Sequence, residues 1–131
     1  MGLIADTIGD ALNRIRNASN QKHSYVLVKK SKFLARILDI LVQNGYIESY
    51  EESEDNKYFL KVNLKYYEGK PVIREIKVLS HLSRRIYIGY RDISPFKNNL
   101  GIVIISTPKG VMTTTEAKKL KVGGMLVCSV W

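Results

Sequence analysis

Cysteine is almost missing from this 131-residue chain, where Cys128 stands alone. One thiol forms no internal disulfide and no cysteine-based metal framework. Its place in an apolar run makes it a buried small side chain rather than a nucleophile. Histidine is scarce too. His23 and His81 each lie in polar surroundings with no second ligand or base nearby, so both are expected to be solvated loop residues. No uninterrupted apolar run approaches the roughly 20 residues of a membrane helix. A basic region followed by an apolar core is missing from the N-terminus, which argues against a secretory signal. The expectation is a protein of the cytosol or an organelle interior, with no membrane partner. No repeat or low-complexity segment is present. Nor is there a metal-ligand cluster, a phosphate-cradling glycine loop, or a Cys–His or Ser–His pair in a catalytic setting. Neither a cofactor nor an enzymatic activity is expected.

Acidic residues are the last shortage, and they are unevenly spread. The net charge is +9. Residues 1–70 hold 11 Lys/Arg against 9 Asp/Glu, net +2, whereas residues 71–131 hold 10 against 3, net +7. Clustered positive charge speeds association with polyanions and binds phosphate, so a polyanion partner is the leading explanation. A basic protein with no specific partner is the plainer one.

The order of elements reads as α+β. Asp6 is placed to cap a first helix, in which Ile8, Ala11, Leu12 and Ile15 form one apolar stripe. Tyr25 to Val28 is a short strand. Ser31 can cap a second helix, with Leu34, Ile37, Leu38, Leu41 and Val42 inward and Asn44-Gly45 as its stop. Lys29, Lys30 and Lys32 cluster at that helix start, against its dipole. A phosphate nearby would explain them; a solvated charge run also does. Residues 46–65 read as a hairpin. Tyr58, Leu60, Val62 and Leu64 face in, and the acidic tip points away from any nucleic acid. Tyr67 to Pro71 is a turn-rich boundary. It divides a helix-strand-helix-strand-strand unit, residues 1–68, from a β-rich unit with one short helix, residues 72–131.

In the second unit Val72 to Leu79 is a strand candidate, and Arg84 to Ile88 alternates basic or polar with apolar residues. Arg85 and Tyr87 share a face. Both side chains stack on bases and Arg forks to phosphate, though an amphipathic surface strand fits as well. Ser94-Pro95-Phe96 is a turn, and Asn98-Asn99 leads on to Leu100. From Leu100 to Met112 the sequence runs LGIVIISTPKGVM. A buried strand at Ile102 to Ile105 delivers the hydroxyls of Ser106 and Thr107, then Pro108, Lys109 and Gly110. Thr113 and Glu116 form a capping box for the next helix. That helix places Ala117 and Leu120 inward and Lys118, Lys119 and Lys121 outward, and Gly123-Gly124 ends it. Hydroxyls and a lysine on such a loop suit phosphates, sugar hydroxyls and base edges. Alone, these residue types favour an ordinary strand–turn–helix junction.

Three segments in one register resemble the bacterial-type small-ribosomal-subunit protein eight family. They are DTIGDALNRIRNA from Asp6, ISTPKGVMT from Ile105, and Val122-Gly123-Gly124 through Cys128 to Trp131. The resemblance spans the chain. It implies two small α/β domains and direct binding to the central domain of 16S-type ribosomal RNA, as part of the small-subunit platform. It implies neighbouring ribosomal proteins as partners and, for some members, the operon's own messenger RNA. Residue by residue it places RNA contacts on Ser106, Thr107, Lys109 and Gly110, on Arg85 and Tyr87, and on Gly123 and Gly124. Lys30 and Lys32 would form a second, weaker contact. The chain departs from the family where Pro108 replaces a hydroxyl residue, Met125 a glutamate, Ser129 a tyrosine, and Leu82-Ser83 a Pro-Gly pair. A free-standing RNA-binding repressor module is the main rival reading. A small enzyme is the distant one.

Overall fold

The computed structural model describes residues 2–81, 84–93 and 101–131. The Leu82-Ser83 pair, Ser94-Pro95-Phe96, Asn98-Asn99 and Leu100 lie outside these. The chain is an α+β protein, and its first half follows the expected order. Helix α1 (Gly2–Asn20) leads to β1 (Tyr25–Lys29), helix α2 (Lys32–Gln43), β2 (Ile47–Glu52) and β3 (Phe59–Leu64). The three strands form an antiparallel sheet in the order β1-β3-β2. Leu60, Val62 and Leu64 are buried on one face of β3, whereas Tyr58 is 65 % exposed. Tyr58 precedes the first residue of the strand, and the Asn56 side chain accepts its N–H. Helix α1 starts at Gly2, so Asp6 lies inside it and is not its cap. No residue of Gly2 to Ala5 is a proline that would stop the helix there. Helix α2 begins as expected: the Ser31 hydroxyl accepts from the Leu34 N–H at 3.0 Å.

At the connector, β4 (Tyr66–Tyr67) and β5 (Lys70–Pro71) pair across Glu68-Gly69, both of which have positive φ. The second half is built on β10 (Gly124–Val130). One side of β10 pairs with β6 (Ile76–Val78) near its end and with β7 (Tyr87–Ile88) near its start. The other side pairs with β8 (Ile102–Thr107), which continues the sheet to β9 (Gly110–Thr113). Two strand expectations shrink here. Val72 to Leu79 yields only β6, because Arg74 and Glu75 give their N–H groups to the Trp131 carbonyl before the ladder begins. The Arg84 to Ile88 alternation yields only β7.

A third expectation changes in kind. The junction after Ser106-Thr107 is a β-hairpin, with β9 interposed before helix α3 (Thr114–Leu120). Thr113 caps α3, accepting from the Glu116 N–H at 3.3 Å. The helix ends on Lys121 in the left-handed region (φ 58°, ψ 43°), ahead of Gly123-Gly124. Ala117 is buried, but Leu120 is exposed. Lys118 does not point away: its ammonium donates to the Tyr90 carbonyl at 3.0 Å, tying α3 to a single 3-10 turn at Tyr90–Asp92.

Two apolar layers enclose the second sheet. On one face Ile104, Val127, Cys128, Val130 and Ile76 join the core of α1, α2 and the first sheet, including Leu12, Ile15, Leu38 and Val62. On the other, Ile105 and Met112 pack with Ile93 and Ala117 under α3. Full burial of each large aliphatic side chain contributes roughly 1.5–3 kcal/mol. The larger core therefore draws its stability from both halves of the chain.

Candidate nucleic-acid interface

The β8–β9 hairpin turns on two residues, Pro108 and Lys109, between the paired Thr107 and Gly110. Thr107 locks it. Its hydroxyl donates to the Gly110 carbonyl at 2.8 Å and accepts the Lys109 N–H at 3.1 Å. Pro108 offers no N–H. Gly110 has φ 123°, a conformation open to glycine. Lys109 is exposed, and its ammonium bonds to no described residue. Ser106, half-buried, has a hydroxyl with no partner among the described residues.

Two glycines seat the hairpin. A Cβ on Gly124 would lie 2.0 Å from the Ser106 carbonyl oxygen, and one on Gly123 would lie 2.4 Å from that of Ile88. Strands β7, β10 and β8 approach this closely only because both side chains are missing. Pairing then aligns a row: Tyr87 opposes Met125, Met125 opposes Ser106, and Ser106 opposes Val111. Cross-strand partners share a face, so Tyr87, 67 % exposed, lies on the Ser106 side of the sheet. Arg85, two residues earlier, is half-buried and unpaired among the described residues. Ser80 steadies this approach: its buried hydroxyl donates to the Leu126 carbonyl and accepts from the Ile86 N–H.

The structure thus gathers Ser106, Thr107, Lys109, Gly110, Gly123, Gly124 and Tyr87 at one end of the second sheet. Lys30 and Lys32 flank the start of α2. The Lys30 ammonium is paired with Glu52 and holds that carboxyl below its ordinary pKa through the hydrogen bond. Lys32 is exposed and unpaired among the described residues. Sequence reasoning missed Arg36, one turn beyond Lys32. Helix α2 packs on β9, and an Arg36 guanidinium nitrogen comes 4.0 Å from where a Gly110 Cβ would be. Only that long-range contact reveals it.

Elsewhere the chemistry is quiet. Burial pushes the Cys128 thiol up to about 12, which keeps it protonated. No cluster among the described residues could hold a metal ion. No described helix is long and apolar enough to cross a membrane. Both histidines are exposed.

A family model described as Ribosomal protein S8 matches residues 6–131. Among curated proteins, the chain is 47 % identical to small ribosomal subunit protein uS8 of Brucella anthropi over 130 residues, 98 % of each chain. It shows the same identity and coverage against the proteins of that name from Brucella abortus and Brucella ovis. A family match over residues 6–131, with 47 % identity to curated relatives over 98 % of the chain, places it in the ribosomal protein S8 family.

Proposed function

We propose that the protein is a structural constituent of the small ribosomal subunit, and not an enzyme, which binds the central domain of 16S-type ribosomal RNA. Family membership supports the subunit assignment. One observation carries the RNA reading: a tightly seated hairpin presents a hydroxyl and an ammonium, Ser106 and Lys109, both unpaired among the described residues, beside the exposed ring of Tyr87. In this reading Ser106 hydrogen-bonds to base edges or ribose hydroxyls, and Tyr87 stacks. Lys109, Arg85 and Lys32 meet phosphates and supply affinity without sequence information. Thr107 and Gly110 shape the turn and offer it to RNA. Gly123 and Gly124 let backbone approach backbone. Lys30 adds a weaker contact. The binding face belongs mainly to the unit of residues 72–131, and that of 1–68 flanks it.

The partner is an irregular, widened RNA helix, because side chains cannot read the deep, narrow major groove of a uniform A-form helix. Neighbouring small-subunit proteins complete the surroundings in the ribosome of the cytoplasm or of an organelle. A segment of the operon's own messenger RNA with the same irregular shape would occupy the same face. The test is a salt titration of binding to a central-domain helix, against a perfect duplex of equal length. Tight binding to the first and weak, steeply salt-dependent binding to the second is the expected result. Equal binding to both would reduce the interaction to net charge. Competition by the messenger segment at matched affinity would add the second ligand.

A further inference from the structure

Arg36 has no role in the reading above, yet this basic side chain from the first half reaches the hairpin. We propose that Arg36 is an RNA-contact residue and that it, rather than Lys30, is the principal contact contributed by residues 1–68. The proposal rests on the hairpin reading.

Four observations carry it. The guanidinium lies beside Gly110, 4.0 Å from the position of a Cβ there, so a group meeting the turn also meets Arg36. The side chain is exposed and engages no described residue. Asp39, the nearest acid on α2, accepts the Tyr50 hydroxyl instead. Lys30, by contrast, is spoken for: its ammonium is bonded to Glu52, and an RNA phosphate would have to break that pair. Lys32 and Arg36 are four residues apart on one helix face, a like-charge arrangement that weakens a helix unless an anion lies against both.

The chemistry of the turn points the same way. Pro108 carries neither an N–H nor a hydroxyl, and both the donor and an acceptor site of the Thr107 hydroxyl are engaged inside the hairpin. Beyond the Lys109 ammonium, the turn therefore offers no free side-chain donor among the described residues. A guanidinium supplies a planar fork of donors, matched to a phosphate. The RNA-binding face is then composite, running from Ser106 and Lys109 across Gly110 to Arg36 and Lys32.

The test uses the full chain and four variants: Arg36→Ala, Arg36→Lys, Lys30→Ala and Ser106→Ala. Each is titrated with the central-domain helix at several salt concentrations, and each is melted. Arg36→Ala is expected to bind about tenfold more weakly with a salt slope lower by roughly 1, at an unchanged melting temperature. Arg36→Lys recovers part of the loss, because it keeps the charge without the fork. Lys30→Ala loses less than Arg36→Ala, about two- to threefold, as a weaker contact from a paired surface lysine should. Wild-type binding by Arg36→Ala alongside weakened Ser106→Ala overturns the inference and leaves the hairpin reading standing. Wild-type binding by both overturns the hairpin reading itself. A larger loss from Lys30→Ala than from Arg36→Ala reverses the ranking. A lowered melting temperature in Arg36→Ala, with Arg36→Lys no better, makes the residue a packing element.

Discussion

The molecule carries two hairpins that invite comparison, β2–β3 in the first sheet and β8–β9 in the second. Both join antiparallel strands backed by a buried face. Their tips are opposites. The first is long, residues 53–58, and carries Glu54 and Asp55, which with Glu51, Glu52, Tyr25, Leu27 and Lys61 line a mostly acidic depression. The second has two residues in its turn, is locked by Thr107, and carries Lys109. The first would repel RNA phosphate, whereas the second would attract it. A hairpin scaffold is thus neutral as to partner. Charge and turn length at the tip decide which surface meets a polyanion.

The comparison breaks most severely at Gly124. A Gly124→Ala chain must move a Cβ out of the Ser106 carbonyl, 2.0 Å away, and should lose about 3 kcal/mol of stability, the upper range for overpacking. Chemical denaturation measures it, and RNA binding should fall with it. No effect on the β8–β9 hairpin would mean that the close approach is not needed. Ser106→Ala should next cost about 1–3 kcal/mol of RNA binding with stability intact, since a hydroxyl buried against RNA leaves its partner unsatisfied. Affinity measured beside a melting curve separates the two.

Thr107→Val should lower stability by about 1 kcal/mol through the lost turn bonds and weaken RNA only through a looser loop. Thr107→Ser should restore both. Charge reversal sharpens the contrast: Lys109→Glu should cost about tenfold in affinity, while Glu54→Lys changes specific binding by less than about twofold. Equal effects would erase the distinction between the tips. The smallest expected effect is on pH. The hydrogen bond to Asp39, with burial and the nearby carboxylate adding to it, raises Tyr50 from 10.0 to about 12. The folded state binds that proton more tightly, so its contribution is complete below pH 10 and is lost as pH rises toward 12. Tyr50→Phe should flatten that part of the stability profile.

Helices and alternating strands were legible because their period is local. The stripe of Ile8, Ala11, Leu12 and Ile15 is buried, as are Leu60, Val62 and Leu64. Ser31 and Thr113 cap the helices their positions suggested. What escaped depends on distant partners. Gly110 to Thr113 reads as a loop until β8 is there to pair with it. Lys118 reads as solvent-facing until the Tyr90 carbonyl arrives. Leu120 follows the helical period but falls beyond the edge of the small core that holds Ala117. At the candidate site, the sequence identified the hairpin residues by type and by resemblance. It did not show that the Thr107 hydroxyl is occupied, nor that Arg36 and Gly110 meet. Both follow from pairing and packing across the chain.

The placement of β10 has a consequence for synthesis. This strand is central to its sheet, touching β6, β7 and β8, yet it follows all of them in the chain. A nascent chain that has not reached Gly124 lacks the seat for Ser106 and any strand linking Tyr87 to the hairpin. The face proposed to bind RNA would therefore form only after residues 124–130 have left the ribosome that makes them. Truncated products would be without a face to offer, and assembling subunits would be spared occupation by unfinished copies.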